Sequence, residues 1–194
     1  MKTGIYALGL DDGPFTFGDE EVDVIGVIMN PDMHIKGVMH FTVEVDGDNA
    51  TEKTLDAIKN SRYFEDIKVI FTDGIAFGGF NLLDIHRIGE VTGKGVIAVV
   101  RHRPDVEEMI SLAQRKFPQR EWYIPYLQSL QPIGVEVEIH GTRHRVYANF
   151  SGLSPEDGAI LMRKFMHNNL LPEPVRVAHL IATAIKTGES RGRA

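Results

Sequence analysis

The sequence has 194 residues, which is enough for one well-filled hydrophobic core and short for two domains. It has no cysteine, which excludes disulfides, thiolate metal sites and a cysteine nucleophile. A net charge of -6 weakens the case for strong non-specific nucleic-acid binding, although basic residues can still cluster. We expect one domain over residues 1–188 and a frayed tail at 189–194.

The chain also lacks the features of membrane insertion and export. No apolar run approaches the length of a membrane span. The N-terminus lacks the long apolar core of a signal peptide. Together with the absence of cysteine, these features predict a cytoplasmic protein that does not bind membranes.

Apolar and alternating patterns predict a sheet that begins with three neighbouring strands. These strands are predicted at residues 4–10, 22–30 and 35–45. Because they follow one another closely along the chain, we expect them to form an antiparallel meander.

Helices and further strands alternate in the rest of the chain. Helices are predicted at residues 50–62, 80–92, 104–117, 121–130 and 154–167, and from residue 171 to near Gly188. The remaining strands are predicted at residues 69–73, 95–100, 135–139 and 143–150, and the last two form a hairpin. The order indicates an α/β fold, with a mixed sheet that carries helices on both faces.

Two predicted strands that are far apart in sequence each end on an acid, Asp11 and Asp73. If the strands are neighbours in the sheet, the two carboxylates meet at one edge, where α/β proteins place their ligands. Mg²⁺ is commonly bound by one or two carboxylates together with waters and substrate phosphates. The alternative is that each acid only begins a turn, since Asp-Gly is a common turn pair.

Three stretches resemble endonuclease V, a metal-dependent nuclease of the ribonuclease H-like superfamily. They are Gly9-Leu10-Asp11, Asp73-Gly74-Ile75-Ala76, and Leu171-Pro172-Glu173-Pro174-Val175-Arg176-Val177-Ala178-His179. The whole sequence, and residues 45–51 and 73–81 in particular, more closely resembles an archaeal family of unknown function, DUF99, also called UPF0215. The resemblance implies an endonuclease V-like, ribonuclease H-like fold.

The resemblance also implies a site. Asp11 and Asp73 would match the two metal-binding aspartates for Mg²⁺ or Mn²⁺, and His179 would match a histidine near the metal. Arg101 stands where endonuclease V has a lysine and is expected, with His102, to contact a phosphate of DNA or RNA. The basic stretch that continues from these residues to Arg120 could line a phosphate-binding groove. The alternative is that it forms a solvated helix face.

Two departures from endonuclease V leave alternatives open. The family's glutamate after the third strand is absent, and Asp46 or Asp48 would replace it as a metal ligand; otherwise Asp48 caps the next helix. The family's Tyr-Ile-Pro-Gly wedge is also missing, since residues 33–37 contain neither an aromatic residue nor a proline. One hypothesis is therefore a Mg²⁺-dependent nuclease or phosphodiesterase. The other is a non-catalytic relative that binds nucleic acid, a nucleotide or a protein partner.

Overall fold

A computed structural model describes residues 4–16 and 18–191 of the chain. The strands are β1 (Tyr6–Asp12), β2 (Glu21–Met29), β3 (Ile35–Glu44), β4 (Ile67–Asp73), β5 (Ala76–Phe77), β6 (Asn81–Leu82), β7 (Gly95–Val100), β8 (Ile133–Ile139) and β9 (Thr142–Ser151). The helices are α1 (Ala50–Lys59), α2 (Ile85–Thr92), α3 (Val106–Lys116), α4 (Tyr123–Ser129), α5 (Pro155–Phe165) and α6 (Glu173–Thr187).

Seven of these strands form one mixed sheet in the order β3-β2-β1-β4-β7-β9-β8. The first three strands pair antiparallel, which confirms the predicted meander. β4 then runs parallel to both β1 and β7, and the β8–β9 hairpin closes the far side with antiparallel pairing. The predicted α/β fold with a mixed sheet is confirmed.

Helices cover both faces of the sheet because the side chains of its central strands alternate between two cores. Ile70 of β4 packs in a core with Leu55 of α1 and Leu127 of α4. Its neighbour Phe71 points to the other face, where its ring lies 5.5 Å from the ring of Phe165 in α5. The continuous apolar runs of β4 and β7 follow from burial on both faces.

The helix predicted over residues 80–92 is wrong in its first turn. The chain instead forms the small β5–β6 hairpin, and α2 begins only at Ile85. Asp84 fixes this start because its carboxylate accepts hydrogen bonds from the backbone N–H groups of His86 and Arg87. Asn81, which a helix would orient differently, joins the backbones of Glu44 and Ala50 through its buried amide.

Smaller differences concern the ends of the other elements. β1 continues through Asp12, because its last residues still pair with β2. α3 begins after Asp105, whose side chain caps it, and not at Pro104. α4 passes through Pro125 without interruption, since a proline in the first turn of a helix removes no required hydrogen bond.

The last helix ends as predicted, at Gly188, which has a left-handed φ of 84°. Residues 192–194 of the predicted tail lie outside the described residues, as do residues 1–3 of the N-terminus that was inspected for a signal peptide. Within the part of the chain that is described, no helix is both long and apolar enough to cross a bilayer.

Candidate active site

Asp11 and Asp73 end two neighbouring parallel strands. β1 and β4 pair in register up to Leu10 and Thr72, so the two acids follow side by side at the carboxyl edge of the sheet. Side chains two residues apart on a strand share a face. Asp73 therefore points to the same face as Phe71, which is the face that α5 and α6 cover.

The close approach of α6 to this edge depends on Gly9. A Cβ atom at Gly9 would lie 2.3 Å from the backbone carbon of Pro174 and 2.4 Å from the backbone nitrogen of Val175. One and two turns further on, the small side chains of Ala178 and Ala182 pack on the apolar surface of β2. In the Gly-x-Asp sequence of β1, the glycine therefore leaves room for the first turn of α6. The aspartate two residues later faces the following turn of that helix.

His179 of α6 lies directly over Asp11. Its Nδ1 is 2.8 Å from Oδ2 of Asp11, and the imidazole donates the hydrogen bond to the carboxylate. Asp11 is only 3% exposed. Burial raises the pKa of Asp11 to about 7; the hydrogen bond from His179 opposes this shift, and the charges of Asp73 and Asp12 add to it. The same hydrogen bond raises the pKa of His179.

Asp73 is half-buried, and burial raises the pKa of its carboxyl group as well. The positive charges of Arg101 and His179 oppose that shift. Arg101 follows the end of β7 and is exposed, as is His102. The structure therefore brings together Asp11, Asp73, His179 and Arg101.

Asp12 is a further acid at this edge, beyond the end that the sequence predicts for the first strand. Because β1 continues through it, its side chain points to the opposite face from Asp11. There its Oδ2 accepts a hydrogen bond of 2.8 Å from the backbone N–H of Gly78. Burial raises its pKa. The sequence feature that could have identified Asp12 is the pair of consecutive acids at the end of an apolar strand.

Asp46 and Asp48 make other contacts. Oδ1 of Asp46 accepts a hydrogen bond of 2.8 Å from the backbone N–H of Phe80, and Oδ1 of Asp48 accepts one of 3.0 Å from the indole of Trp122. These contacts fix the loop after β3 to its neighbours. Asn49, and not Asp48, is the N-cap residue of α1. Metal binding by Asp46 or Asp48 remains a prediction.

The basic stretch from Arg101 to Arg120 divides into two parts. Arg101, His102 and Arg103 are exposed in the loop after β7. The guanidinium group of Arg120 instead lies 4.4 Å from the ring centre of Phe117 and donates to the hydroxyl oxygen of Tyr123 and the carbonyl of Asp46. Arg120 therefore stabilises the loop, whereas Arg101 is exposed and its charge acts on Asp73.

The carboxylates of Asp11 and Asp73 are suited to a divalent cation whose remaining ligands come from waters and the substrate. Buried carboxylates whose ionisation is disfavoured by burial and by each other gain most from a nearby positive charge. Among residues 4–16 and 18–191, no group of three or more His, Asp or Glu side chains is placed to hold an ion. Two carboxylates are nevertheless a usual protein contribution to a Mg²⁺ site, which waters and substrate phosphates complete.

The residues around His179 in the C-terminal stretch have structural roles. Glu173 is buried, at 3% exposure; its Oε2 accepts a hydrogen bond of 2.8 Å from Nε of Arg176 and lies 2.8 Å from Nη2 of the same ion-paired guanidinium group. We expect Arg176→Met to lower the free energy of unfolding by about 3 kcal/mol, because it leaves a buried carboxylate unpaired. Urea titration measures this loss. Adding Glu173→Gln should recover part of it, and a full loss in the double variant would contradict the explanation.

Comparison with solved structures identifies the fold. The crystal structure of Ciona intestinalis endonuclease V, in complex with a 24mer DNA containing an inosine, matches 90% of this chain and 82% of that one with a TM-score of 0.61 and 14% identity. Human endonuclease V matches 91% of this chain and 82% of its own with a TM-score of 0.60 and 15% identity. The fold is therefore that of endonuclease V.

Sequence relatives identify the family. A family model described as "Endonuclease dU" matches residues 3–186, and the chain belongs to this family. A UPF0215 protein of Methanothermobacter thermautotrophicus is 38% identical over 197 residues, covering 100% of this chain and 94% of the relative. A crystal structure of an Archaeoglobus fulgidus protein of unknown function has a TM-score of 0.78 and 31% identity, over 93% of this chain and 98% of that one. The resemblance to UPF0215 is confirmed.

Proposed function

We propose that the protein is a divalent-metal-dependent endonuclease that hydrolyses DNA at deoxyuridine. The placement of Asp11 and Asp73 at neighbouring strand ends, with His179 bonded to Asp11, carries this proposal. The family's description as an endonuclease of dU supports the substrate. The fold shared with endonuclease V bound to DNA supports the class of polymer.

Each residue has a role in this reaction. Asp11 and Asp73 would hold Mg²⁺ or Mn²⁺, which supplies the positive charge that hydrolysis of a phosphodiester requires. His179 orients the Asp11 carboxylate through its hydrogen bond and holds a proton on its imidazole beside the site. Arg101 neutralises a phosphate next to the scissile bond, and His102 contacts the strand from the same exposed loop.

A non-catalytic relative that binds nucleic acid is the second candidate. One observation favours it: the described part of the chain gathers no group of three metal-ligating side chains. In this case the exposed loop at residues 101–103 would still contact the nucleic-acid backbone, and the carboxylates would not catalyse hydrolysis. DNA, RNA and a single nucleotide are then all ligands to be compared.

A cleavage assay with matched oligonucleotides separates the two candidates. We expect cleavage of DNA that contains one deoxyuridine in Mg²⁺ or Mn²⁺, and none in EDTA. Asp73→Asn should slow it about 100-fold, because the amide keeps the shape of the site but not its charge. Strands with deoxyinosine or deoxycytidine at the same position, and RNA of the same sequence, measure substrate selectivity by denaturing electrophoresis.

The matched control variant is Asp66→Asn. Asp66 also pairs its carboxylate with a basic side chain, with Nζ of Lys36 at 2.7 Å, but it lies just before β4 begins, at the opposite end of that strand from Asp73. Its substitution should leave the cleavage rate unchanged. Activity that survives Asp73→Asn would refute the proposed site. Binding without cleavage of any strand, in either metal, would favour the non-catalytic relative.

A further inference from the structure

The outer side of β3 is one edge of the main sheet, and part of its backbone is open. Val45 donates a hydrogen bond to the carbonyl of Glu20 across the β2–β3 pair. Because only every second residue of an antiparallel strand bonds to its neighbour, the N–H and C=O groups of Val38, His40 and Thr42 point away from β2. Within residues 4–16 and 18–191, no hydrogen bond reaches these outward groups.

This open stretch of β3 has the features of an association edge. At its far end the outward N–H of Glu44 is already bonded to the side chain of Asn49. At its near end the register shifts around Lys36, and from Gly37 onward the pairing with β2 is regular. Proteins usually block such an edge with a bulge, a proline or a lysine. The stretch from Val38 to Thr42 contains none of these, and Val38 is 48% exposed.

We propose that two copies of this chain pair antiparallel through β3, about a twofold axis at His40, and join their sheets into one. Val38 of each copy then lies opposite Thr42 of the other, and the two His40 residues lie opposite each other. In this register every outward N–H group of the open stretch meets an outward carbonyl group of the second copy. The contact uses the same surface on both copies, so it closes on itself as a dimer.

The charges along β3 favour a second copy as the strand that binds there. Lys36 and Glu44 lie at equal distances in sequence on either side of His40, so the twofold axis brings Lys36 of each copy opposite Glu44 of the other. Lys36 lies 2.7 Å from Asp66, and its ammonium group has further hydrogens for a second carboxylate. At the centre, Asp23 accepts a hydrogen bond of 2.7 Å from His40, so each of the facing imidazoles has an acid beside it. A shift of the register in either direction would lose the opposition of Lys36 and Glu44.

This contact leaves the candidate active site uncovered. Asp11 lies on β1 and Asp73 on β4, two and three strands away from β3 in the sheet. β1 and β3 run in the same direction, since both are antiparallel to β2. A twofold axis perpendicular to the sheet therefore places the two carboxyl edges at opposite ends of the joined sheet. The inference is independent of the proposed function, because each copy keeps its own complete edge.

The first test is the oligomeric state of the full chain. Sedimentation velocity in EDTA, over a range of protein concentrations, measures the association. We expect a reversible equilibrium between monomer and dimer, with a dissociation constant of about 1–100 µM, because the contact is small and consists mainly of backbone hydrogen bonds. No species larger than a dimer should form, since the twofold contact uses up the open edge of both copies.

Val38→Pro removes a backbone donor from the contact. Proline has no N–H, and an edge strand tolerates it where that group points outward. Gly37 precedes it and has no Cβ atom to clash with the ring. We expect Val38→Pro to raise the dissociation constant at least about 10-fold. The matched control is Val38→Thr, which keeps the N–H and the branched side chain and should associate like the wild type; urea titration checks that both variants fold.

A charge exchange tests the register without changing the backbone. Glu44→Lys places two lysines opposite each other and should raise the dissociation constant about 3-fold. Adding Lys36→Glu to this variant should restore the wild-type value, because position 36 of one copy lies opposite position 44 of the other in the proposed register.

The outcomes separate this inference from the proposed function. A wild-type chain that stays monomeric well above the expected dissociation constant would overturn the dimer. Association that survives Val38→Pro, or a double charge variant that does not recover, would place the contact elsewhere and overturn the pairing through β3. The cleavage rate of Val38→Pro should equal that of the wild type, so a loss of the dimer and a failure of the proposed reaction are distinct results.

Discussion

Asp11→Asn is expected to reduce cleavage about 1,000-fold and, at the same time, to stabilise the metal-free protein at neutral and alkaline pH. The loss of activity follows because Asp11 is both a proposed metal ligand and the hydrogen-bond partner of His179. The gain in stability follows from the burial of Asp11. A group that is 3% exposed is costly to ionise, and asparagine removes that cost while it keeps an acceptor for His179.

The sign of the pH dependence follows from the raised pKa of Asp11. Its carboxyl group titrates near 3.8 in the unfolded chain and at about 7 in the fold, so the folded state binds more protons in this range. The free energy of unfolding of the metal-free protein should therefore fall as the pH rises through that window. His179 acts in the same direction, because its raised pKa stabilises the fold at low pH and this contribution disappears as the imidazole loses its proton.

Urea titrations in EDTA at about pH 5 and pH 8 measure this effect. We expect Asp11→Asn to be about 1–3 kcal/mol more stable than the wild type at the higher pH, and close to it or less stable at the lower. Asp66→Asn changes the surface pair with Lys36, at the other end of β4, and should show no such pH-dependent gain. An Asp11→Asn protein that is destabilised equally at both pH values would contradict the explanation.

The sequence predicted the part of the site that depends on strand order and strand ends. Asp11 and Asp73 each close an apolar strand, and parallel pairing of β1 with β4 is enough to bring them together. The motif around His179 placed the histidine on a helix, and Gly9 made the approach of that helix possible. Local pattern and long-range packing agree here, so the side chains that the sequence grouped together also lie together in the fold.

The parts that the sequence did not predict depend on distant contacts of single polar side chains. Asn149 lies among the alternating residues of an ordinary strand, and only the sheet order places it opposite Ala98 of β7. Asn81 lies in an apolar stretch typical of a helix, yet its amide bonds to backbone groups more than thirty residues away, which favours the β5–β6 hairpin. No local pattern contains such information.

The three acids at the carboxyl edge oppose the stability of the fold that holds them. Burial raises the pKa of Asp11, Asp12 and Asp73, so each carboxylate is less stable as an anion there than in water. A fold selected only for stability would replace them with neutral residues. Their presence at one edge, with a histidine and an arginine beside them, is what a site prepared for a cation and a phosphate requires.

Gly9→Ala is expected to lower the free energy of unfolding by about 2–4 kcal/mol, which corresponds to about 5–15 °C in the midpoint of thermal unfolding. The added Cβ would meet the backbone of Pro174 and Val175 at 2.3 and 2.4 Å, and backbone atoms cannot move aside as a flexible side chain can. Scanning calorimetry measures the shift. Gly4→Ala is the matched control, because a Cβ at Gly4 meets nothing within 4 Å.

The same substitution should impair activity in the molecules that remain folded. α6 can accommodate the new methyl group only by moving away from β1, and this movement carries His179 away from Asp11. We therefore expect the cleavage rate of Gly9→Ala, measured well below its unfolding midpoint, to fall at least about 10-fold. A variant that is destabilised but cleaves at the wild-type rate would show that the contact between His179 and Asp11 is not required, and would leave Gly9 with a packing role alone.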